Sequence, residues 1–326
     1  MSIIGSAFTP PKTRAWENTD GRPSWSPDGT RVAAEVGRDV VVVNREGGET
    51  LNTIGPEGRW VNSPSWSPDG ERIAYATYDR HKDYETASWG VYTSKPDGSD
   101  PRLLTPDALE PEYSPQGDRV AFQLYKAGFP ERIGLINADG TDMKPISHGG
   151  FLQRDFSWDP QGHQIAYDTM DNGQYIKVTD ITGRKDRPVT DGAGGLYNDT
   201  NPEWSPDGRS ILFERNSTAV VANGLWTVDP RTGRESELLP VSKRNLDAVW
   251  SPDGSRIAFA SNRDGGPDLD LFVMNADGTD LKQITDLPGN EHAPSWAPDG
   301  KALAYNRLDF GAPKDKRESL EIVELG

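Results

Sequence analysis

The chain has 326 residues, including 34 Gly, 26 Pro and no Cys, and a net charge of -16. Frequent turns argue against long helices, and no run approaches the roughly 18 apolar residues of a membrane-spanning helix. The lack of cysteine excludes disulfides, thiolate catalysis and Cys-based zinc sites. The net charge argues against a nucleic-acid partner, because phosphate binding requires clustered Lys and Arg.

The N-terminal segment, residues 1–20, has no charged region followed by an apolar stretch, so it is not an intact signal peptide. As written, the sequence indicates a cytoplasmic protein, and a secreted or periplasmic mature form stays open. Within this segment, "GSAFT" at 5–9 ends in Thr, as the later outer strands do. We expect this stretch to be a closing strand that pairs with the last repeat.

A repeated motif, "PSWSPDG" at 23–29, follows and returns unchanged at 64–70. Its aromatic residue recurs 41 to 47 residues apart, at Trp25, Trp66, Tyr113, Trp158, Trp204, Trp250 and Trp296. A period in the mid-forties with Gly- and Pro-rich turns is typical of a four-stranded propeller blade. The repeats therefore predict an all-β, seven-bladed β-propeller that occupies residues 1–326 as a single domain.

Each repeat predicts the same four antiparallel strands. A short strand ends at the aromatic residue, and Ser-Pro-Asp-Gly forms a hairpin turn in which Gly takes the left-handed conformation. The second strand is a run that is apolar on both faces, such as "QIAYDT" or "SILFER". A variable loop, a third strand, a second glycine turn such as "NADGTD" and a short outer strand complete the blade.

The seventh repeat is incomplete, since only Gly326 follows its third strand at 320–325. Pairing with the N-terminal strand would close the ring and remove exposed sheet edges. A six-bladed ring with a stray seventh repeat is the alternative, and it would leave one blade's apolar faces exposed.

These motifs resemble the TolB-like β-propeller repeat, a WD40-like unit with the signature Trp-Ser-Pro-Asp-Gly. The resemblance implies the fold over nearly the whole chain, and a role in protein binding. Related propellers also form part of some serine peptidases and of a pectin-fragment lyase with a metal-bound mouth. The G-x-S-x-G elbow of the peptidases is absent here, and the four histidines match no lyase-like cluster.

The Asp that recurs in these turns is interpreted as a structural residue. Asp28 and its equivalents stand a blade apart, so they cannot converge on one ligand, and we expect them to bond local backbone amides. Gln116 and Gln161 replace Asp in two repeats and keep the turn without the charge. The recurring Arg two residues after the turn glycine, as in Arg31 and Arg72, is interpreted in the same way.

The residue three positions before each aromatic is expected to lie near the propeller axis. These residues are Arg22, Ser63, Glu110, Asp155, Asn201, Asp247 and Ala293. Four consecutive repeats thus offer hard oxygen ligands, Glu110, Asp155, Asn201 and Asp247, which suit Ca²⁺ or Mg²⁺ in a central channel. A water-filled polar channel without a specific ion is the alternative.

The loops after the second strands differ in length, and the longer ones, at 77–90, 124–134 and 306–320, carry aromatic and basic residues typical of binding sites. The candidate ligand-binding mouth consists of Tyr78, Arg80, His81, Tyr84, Trp89, Tyr125, Phe129, His292, Arg307 and Phe310. Folding of these side chains onto their own blades is the alternative. His81 and His292 could also form an acid–base pair, although no nucleophile accompanies them.

Two functions follow from these observations. The first is a monomeric, non-catalytic binding module that presents a protein, glycan or small-molecule site at the mouth. The second is a metal-assisted lyase or hydrolase that acts on a glycan or other small molecule in the channel. Propellers host many unrelated functions, so the fold does not choose between them.

Overall fold

The computed structural model describes residues 3–4, 21–46, 49–56, 59–79, 89–125, 129–170, 173–313 and 317–325. These residues form 28 strands and one short 3₁₀ helix, Gly192–Gly195, and the strands make seven four-stranded antiparallel sheets. This is the architecture of an all-β, seven-bladed β-propeller, as predicted, and seven complete sheets leave no stray repeat. Within the described ranges, no helix has the length and apolar character needed to cross a membrane.

The chain divides into two compact units. Unit 1 comprises Met1–Phe129, Ile136–Met143 and Pro288–Gly326, and unit 2 comprises Pro130–Leu135 and Lys144–Leu287. Blades 1, 2 and 7 belong to unit 1, and blades 4, 5 and 6 belong to unit 2. Blade 3 contributes strands to both units, namely β10 (Ala108–Tyr113), β11 (Arg119–Leu124), β12 (Arg132–Asn137) and β13 (Lys144–Pro145).

The blades of unit 1 are given from first to fourth strand. Blade 1 has β2 (Ser24–Trp25), β3 (Arg31–Val36), β4 (Asp39–Asn44) and β5 (Thr50–Ile54). Blade 2 has β6 (Arg59–Trp66), β7 (Ile73–Asp79), β8 (Trp89–Ser94) and β9 (Arg102–Pro106). Blade 7 has β26 (Asn290–Trp296), β27 (Ala302–Leu308), β28 (Glu318–Glu324) and β1 (Ile3–Ile4).

The blades of unit 2 follow the same order. Blade 4 has β14 (Leu152–Trp158), β15 (Gln164–Met170), β16 (Gln174–Asp180) and β17 (Arg187–Pro188). Blade 5 has β18 (Tyr197–Trp204), β19 (Ile211–Ser217), β20 (Asn223–Val228) and β21 (Glu235–Lys243). Blade 6 has β22 (Asn245–Trp250), β23 (Arg256–Ser261), β24 (Asp270–Asn275) and β25 (Lys282–Gln283).

The N-terminal strand completes the last blade, as the incomplete seventh repeat predicted. Ile3 pairs with Val323 and Ile4 with Ile322, in antiparallel register. The strand therefore begins earlier than the predicted closing stretch, and residues 5–9 lie outside the described part of the chain. The fourth strand of blade 7 thus comes from the opposite end of the chain.

The repeated turn has the structural role that the sequence predicted. In the first copy, the Asp28 carboxylate accepts hydrogen bonds from the Ser26 hydroxyl (2.6 Å) and from the amide and hydroxyl of Thr30 (3.0 and 2.8 Å). The Ser26 hydroxyl is the main reason that the pKa of Asp28 falls to about 2. The turn glycines of the seven copies have φ between 66° and 74°, a conformation that favours glycine.

Two substituted copies reach the same turn by other residues. Where Gln116 replaces the turn Asp, Asp118 accepts the hydrogen bond from the Ser114 hydroxyl at 2.9 Å. Where Gln161 replaces it, Asp159 takes the Ser position and accepts from the backbone amides of residues 163 and 164, both at 2.6 Å. The turn geometry is therefore kept although the acceptor changes.

Neighbouring first strands are tied together beside the repeated aromatic residues. The hydroxyl of Ser24 accepts from the Trp66 amide at 3.1 Å in unit 1, and Ser157 does the same for Trp204 at 2.9 Å in unit 2. The repeated Arg also joins blades, since the Arg31 guanidinium lies 4.7 Å from the centre of the Trp66 ring. These contacts place the first strands of adjacent blades side by side and in a common direction.

Candidate functional site

The residue three positions before the aromatic marks a bulge in the first strand of six blades. At each of these positions the pairing with the second strand shifts register. The residues have positive φ values of 37° to 57° and are Ser63, Glu110, Asp155, Asn201, Asp247 and Ala293. Arg22, at the seventh position, precedes the start of β2. Bulges of this kind redirect side chains at functional positions, at a cost of about 1–3 kcal/mol each.

Two buried carboxyl groups on second strands of unit 2 meet these bulges. Asp168 of β15 and Glu214 of β19 are 1% and 2% exposed. Sequence reasoning missed them because it treated the second strands as apolar. The available signal was a carboxylate at the fifth position of "QIAYDT" and "SILFER", inside a strand that is otherwise buried.

Glu214 joins blade 5 to blade 6. Its Oε1 accepts a hydrogen bond from Asn201 Nδ2 at 2.9 Å and another from the Asp247 backbone amide at 2.7 Å. Burial, together with the nearby Asp247 charge, raises the pKa of Glu214 to about 8. Glu214 therefore keeps its proton near neutral pH, since the ionised form would be uncompensated in this surrounding.

Asp168 forms a second carboxyl pair in the same unit. It hydrogen-bonds to Asp155 and accepts from Gln174 Nε2 at 3.0 Å. Burial raises the pKa of Asp168 well above its usual range, and the charge of Asp155 raises it further. The charge of Asp155 also acts on Glu214, so Asp155, Asp168, Glu214 and Asp247 form one acidic cluster. Burial and the neighbouring charges thus raise the pKa of both Asp168 and Glu214, which favours the protonated form of each relative to an ordinary carboxyl group.

The four residues of the predicted cation site are divided between the two units of the chain. Asp155, Asn201 and Asp247 lie in unit 2 and Glu110 lies in unit 1. Asn201 and Asp247 both turn N–H donors towards Glu214, and a protonated carboxyl is a poor ligand for a hard cation. Within the described ranges, no group of three or more His, Asp or Glu side chains is placed to hold a metal ion. Binding of Ca²⁺ or Mg²⁺ stays an untested prediction.

A buried ion pair joins the first and the outer strand of blade 5. The Arg215 guanidinium donates to both Asp199 carboxylate oxygens, at 2.8 and 2.9 Å, and to both Glu235 oxygens, at 2.8 and 3.1 Å. Arg215 is 4% exposed and lies 4.7 Å from the centre of the Trp226 ring. Because one cation is shared between β18 and β21, the outer strand is held firmly against the first three strands.

The upper edge of a blade is the edge where its first strand begins and its second strand ends. In blades 4 and 5, exposed apolar side chains gather at this edge. We call this set the unit 2 rim: Phe151 (77% exposed), Met170 (43%), Leu196 (68%), Val220 (60%) and Val221 (87%).

Backbone contacts bring the rim residues of each blade together. The Phe151 amide donates to the Met170 carbonyl at 2.9 Å, and the Thr218 hydroxyl donates to the Leu196 carbonyl at 3.0 Å. The Ser157 to Trp204 tie sets β14 beside β18, so the upper edges of blades 4 and 5 are adjacent. None of the five rim residues was among the predicted mouth residues.

In unit 1 the predicted aromatic residues stack on one another instead. The Trp60 and Tyr78 ring centres lie 5.6 Å apart and nearly parallel, and those of Tyr78 and Trp89 lie 4.2 Å apart. Tyr125 meets the edge of Trp89 at 6.3 Å, and the Arg38 guanidinium lies 4.4 Å from the Trp60 centre. We call these five residues the aromatic ladder. The aromatic ladder thus joins side chains of blades 1, 2 and 3, which occupy one another's rings instead of standing free.

The other predicted mouth residues separate into four groups, of which Arg307 is described last. Arg80, His81 and Tyr84 lie outside the described residues, so the proposed pairing of His81 with His292 stays a prediction. Phe129 and Phe310 are 64% and 54% exposed. His292 is partly buried in β26, where its residue pairs with Asn306.

Arg307 is engaged at the upper edge of blade 7. Its guanidinium donates to the Pro288 carbonyl at 2.9 and 2.7 Å and to the Asp309 carboxylate at 3.1 Å. These bonds hold its own loop, so its predicted part in ligand binding stays a prediction.

The fold and the site define the class of protein: a β-propeller whose upper edges carry the side chains available for contact. A family model described as TolB beta propeller domain matches residues 222–314. In structure, the chain is similar to TolB from Acinetobacter baumannii, with a TM-score of 0.58 and 17% identity over 90% of this chain and 77% of that one. The chain thus has the fold of a TolB-like β-propeller, and residues 222–314 match the family's sequence model.

Two curated relatives are similar in sequence over shorter stretches. The uncharacterized peptidase YuxL of Bacillus subtilis is 25% identical over 159 residues, which cover 44% of this chain and 23% of that protein. Dipeptidyl-peptidase 5 of Porphyromonas gingivalis is 29% identical over 107 residues, 29% of this chain and 15% of that protein. The chain thus spans less than a quarter of the length of either relative.

Proposed function

We propose that the chain is a binding module and that it contacts another protein through the unit 2 rim. The observation that carries this proposal is the exposure of five apolar side chains on two adjacent upper edges. Contiguous exposed apolar side chains are costly in water and mark interaction surfaces when they lie together. The Ser217 amide donates to the Ala222 carbonyl at 3.1 Å and closes the loop that carries Val220 and Val221, and a loop already formed lowers the entropic cost of binding.

The chemistry of the rim favours a protein over a glycan. Four of the five rim residues are aliphatic, whereas sugar rings bind best against free aromatic faces. In the aromatic ladder, the Trp60 and Tyr78 rings already contact each other, the Trp89 ring and the Arg38 guanidinium. Aliphatic side chains around one exposed phenyl ring, Phe151, instead suit the apolar residues of a protein segment.

Selection of peptides from a displayed random library tests this function. The bait is the full chain, and the counter-bait carries Phe151→Ser, Leu196→Ser and Val221→Ser. We expect enriched peptides that bind the unchanged chain and lose roughly a hundredfold or more in affinity for the counter-bait, since several apolar contacts are removed together.

Thermal unfolding and circular dichroism of the counter-bait provide the control, because exposed side chains can be replaced without loss of fold. A second variant, Leu51→Ser with Leu103→Ser, removes two exposed apolar residues outside the rim (43% and 52% exposed) and should bind like the unchanged chain. Selected peptides that bind the folded counter-bait equally well would refute the function.

A further inference from the structure

The charges around the unit 2 rim suggest which protein segment it receives. We propose that the rim binds an apolar segment that also carries carboxylate side chains, through Arg132 and Lys243. This inference rests on the proposed function and narrows its partner.

Arg132 lies beside the blade 4 part of the rim. Its Nη1 donates to the carbonyls of Glu131 and Gly150, both at 3.1 Å, and Gly150 immediately precedes Phe151. The neighbouring cation Arg154 is already neutralised by Glu131, with oxygens at 2.8 and 3.1 Å. Arg132 has only backbone acceptors in the described part of the chain, so its positive charge is not neutralised by a carboxylate there.

Lys243 lies beside the blade 5 part. It is exposed at the end of β21 and pairs across the strands with Asn223, two residues after Val221. Directly opposed residues in antiparallel strands lie about 5 Å apart, so the Lys243 ammonium can reach the surface around Val221. Across the described ranges, no carboxylate lies within ion-pair distance of Lys243.

Within the described residues, Arg132 and Lys243 thus stand beside the blade 4 part and the blade 5 part of the rim without a carboxylate partner. Asp191 is an exposed carboxylate of the same region, before the 3₁₀ helix, so among Arg132, Lys243 and Asp191 the positive charges are in excess by one. The chain as a whole has a net charge of -16. A basic protein attracted to the chain would therefore meet repulsion at the rim, whereas carboxylates in an apolar segment would be paired.

A second copy of the chain is a poorer occupant. In a symmetric contact both copies present the same rim, and its two cations outnumber its one exposed carboxylate among the described residues, so the charges cannot all be paired. Two chains that each carry -16 also repel one another at low salt. Complementarity of charge thus selects a different protein, with carboxylates near its apolar side chains.

The peptides selected in the preceding experiment provide the test. We expect them to combine apolar residues with Asp or Glu, and to bind Arg132→Glu and Lys243→Glu variants at least roughly tenfold more weakly. Lys185→Glu makes the same change of charge at an exposed turn of blade 4 and should leave affinity unchanged. Fluorescence polarisation of labelled peptides measures each affinity.

The outcomes separate this inference from the function on which it rests. If the selected peptides need the apolar rim residues but are basic or uncharged, or bind the Glu variants unchanged, the acidic partner is wrong and the binding role stands. If no selected peptide depends on the apolar rim residues, both proposals fail. Replacement of each Glu by Lys in a selected peptide should also abolish its binding, and unchanged binding would overturn the inference.

Discussion

The aromatic ladder of unit 1 and the unit 2 rim use apolar side chains in opposite ways. In the ladder, the Trp60 ring contacts both the Arg38 guanidinium and the Tyr78 ring. In the rim, Phe151 and Val221 are 77% and 87% exposed. The comparison shows that Trp and Tyr side chains at an upper edge can stack on one another within the protein. Exposed Phe and aliphatic side chains elsewhere then remain accessible to a partner.

The largest expected effect concerns the acidic cluster on the strands that support the rim. Burial raises the pKa of Glu214 from 4.5 to about 8. The folded state therefore binds more protons than the unfolded state between these values, and stability falls as pH rises from about 4.5 to 8, by at most about 5 kcal/mol.

Glu214→Gln removes this titration but keeps a group that can accept from Asn201 and Asp247. Its urea-unfolding free energy should change less with pH, so that its stability relative to the unchanged chain improves as pH rises to 8. Glu237→Gln, at an exposed position of β21, is the matched control. If the free energies of unfolding of the unchanged chain and Glu214→Gln varied in parallel with pH, the raised pKa of Glu214 would be contradicted.

The next effect concerns the buried ion pair of blade 5. Arg215→Ala leaves Asp199, which is fully buried, without its cation and should cost about 4 kcal/mol in the free energy of unfolding. Arg231→Ala removes an exposed Arg paired with Asp229 at 3.2 Å and should lower the free energy of unfolding far less, because water screens an exposed ion pair. Equal losses in urea unfolding would show that Arg215 does not brace the blade beneath the rim.

A smaller effect tests the two regions directly. Trp60→Ala removes a ring stacked on Tyr78 and Arg38, and should cost about 2 kcal/mol in unfolding free energy because the ring is half-buried. Phe151→Ala is the matched aromatic truncation in the rim and should cost less than about 0.5 kcal/mol. The contrast between ladder and rim breaks down if the two losses are the same.

The smallest effect on stability is expected at the most exposed rim residue. Val221→Ser should leave the free energy of unfolding within about 0.5 kcal/mol of the unchanged chain, since the side chain is 87% exposed. Its affinity for rim-binding peptides should still fall. A large loss of stability in thermal unfolding would mean that Val221 packs within the protein and is not a contact residue.

Much of the fold could be predicted because one signal was repeated. The aromatic residue and its Ser-Pro-Asp-Gly turn depend on local backbone chemistry, so seven copies specify seven hairpins wherever they occur. The position three residues before the aromatic also proved special, since six of seven are bulges. The closing strand was predicted in the right role, but its described residues are Ile3 and Ile4.

The candidate site was harder to predict because it depends on contacts between blades. Tyr78, Trp89 and Tyr125 were selected for being aromatic, but Trp60 of strand β6 and Arg38 of blade 1 are the neighbours that decide whether the rings are free. Glu214 was overlooked because its partners, Asn201 and Asp247, lie 13 and 33 residues away. Periodicity indicates which strand is buried, but it cannot indicate which polar group another blade will satisfy.

The sequence by itself determined the blade count and the turns, because each depends on residues close together in the chain. The tertiary structure decided which apolar side chains are covered and which carboxyl groups keep a proton. The physical reason is that exposure and pKa depend on everything within a few ångströms, including strands far away in the chain. Phe151 and Trp60 are both aromatic residues at upper edges. Only their surroundings make Phe151 accessible to a partner and Trp60 part of the internal packing.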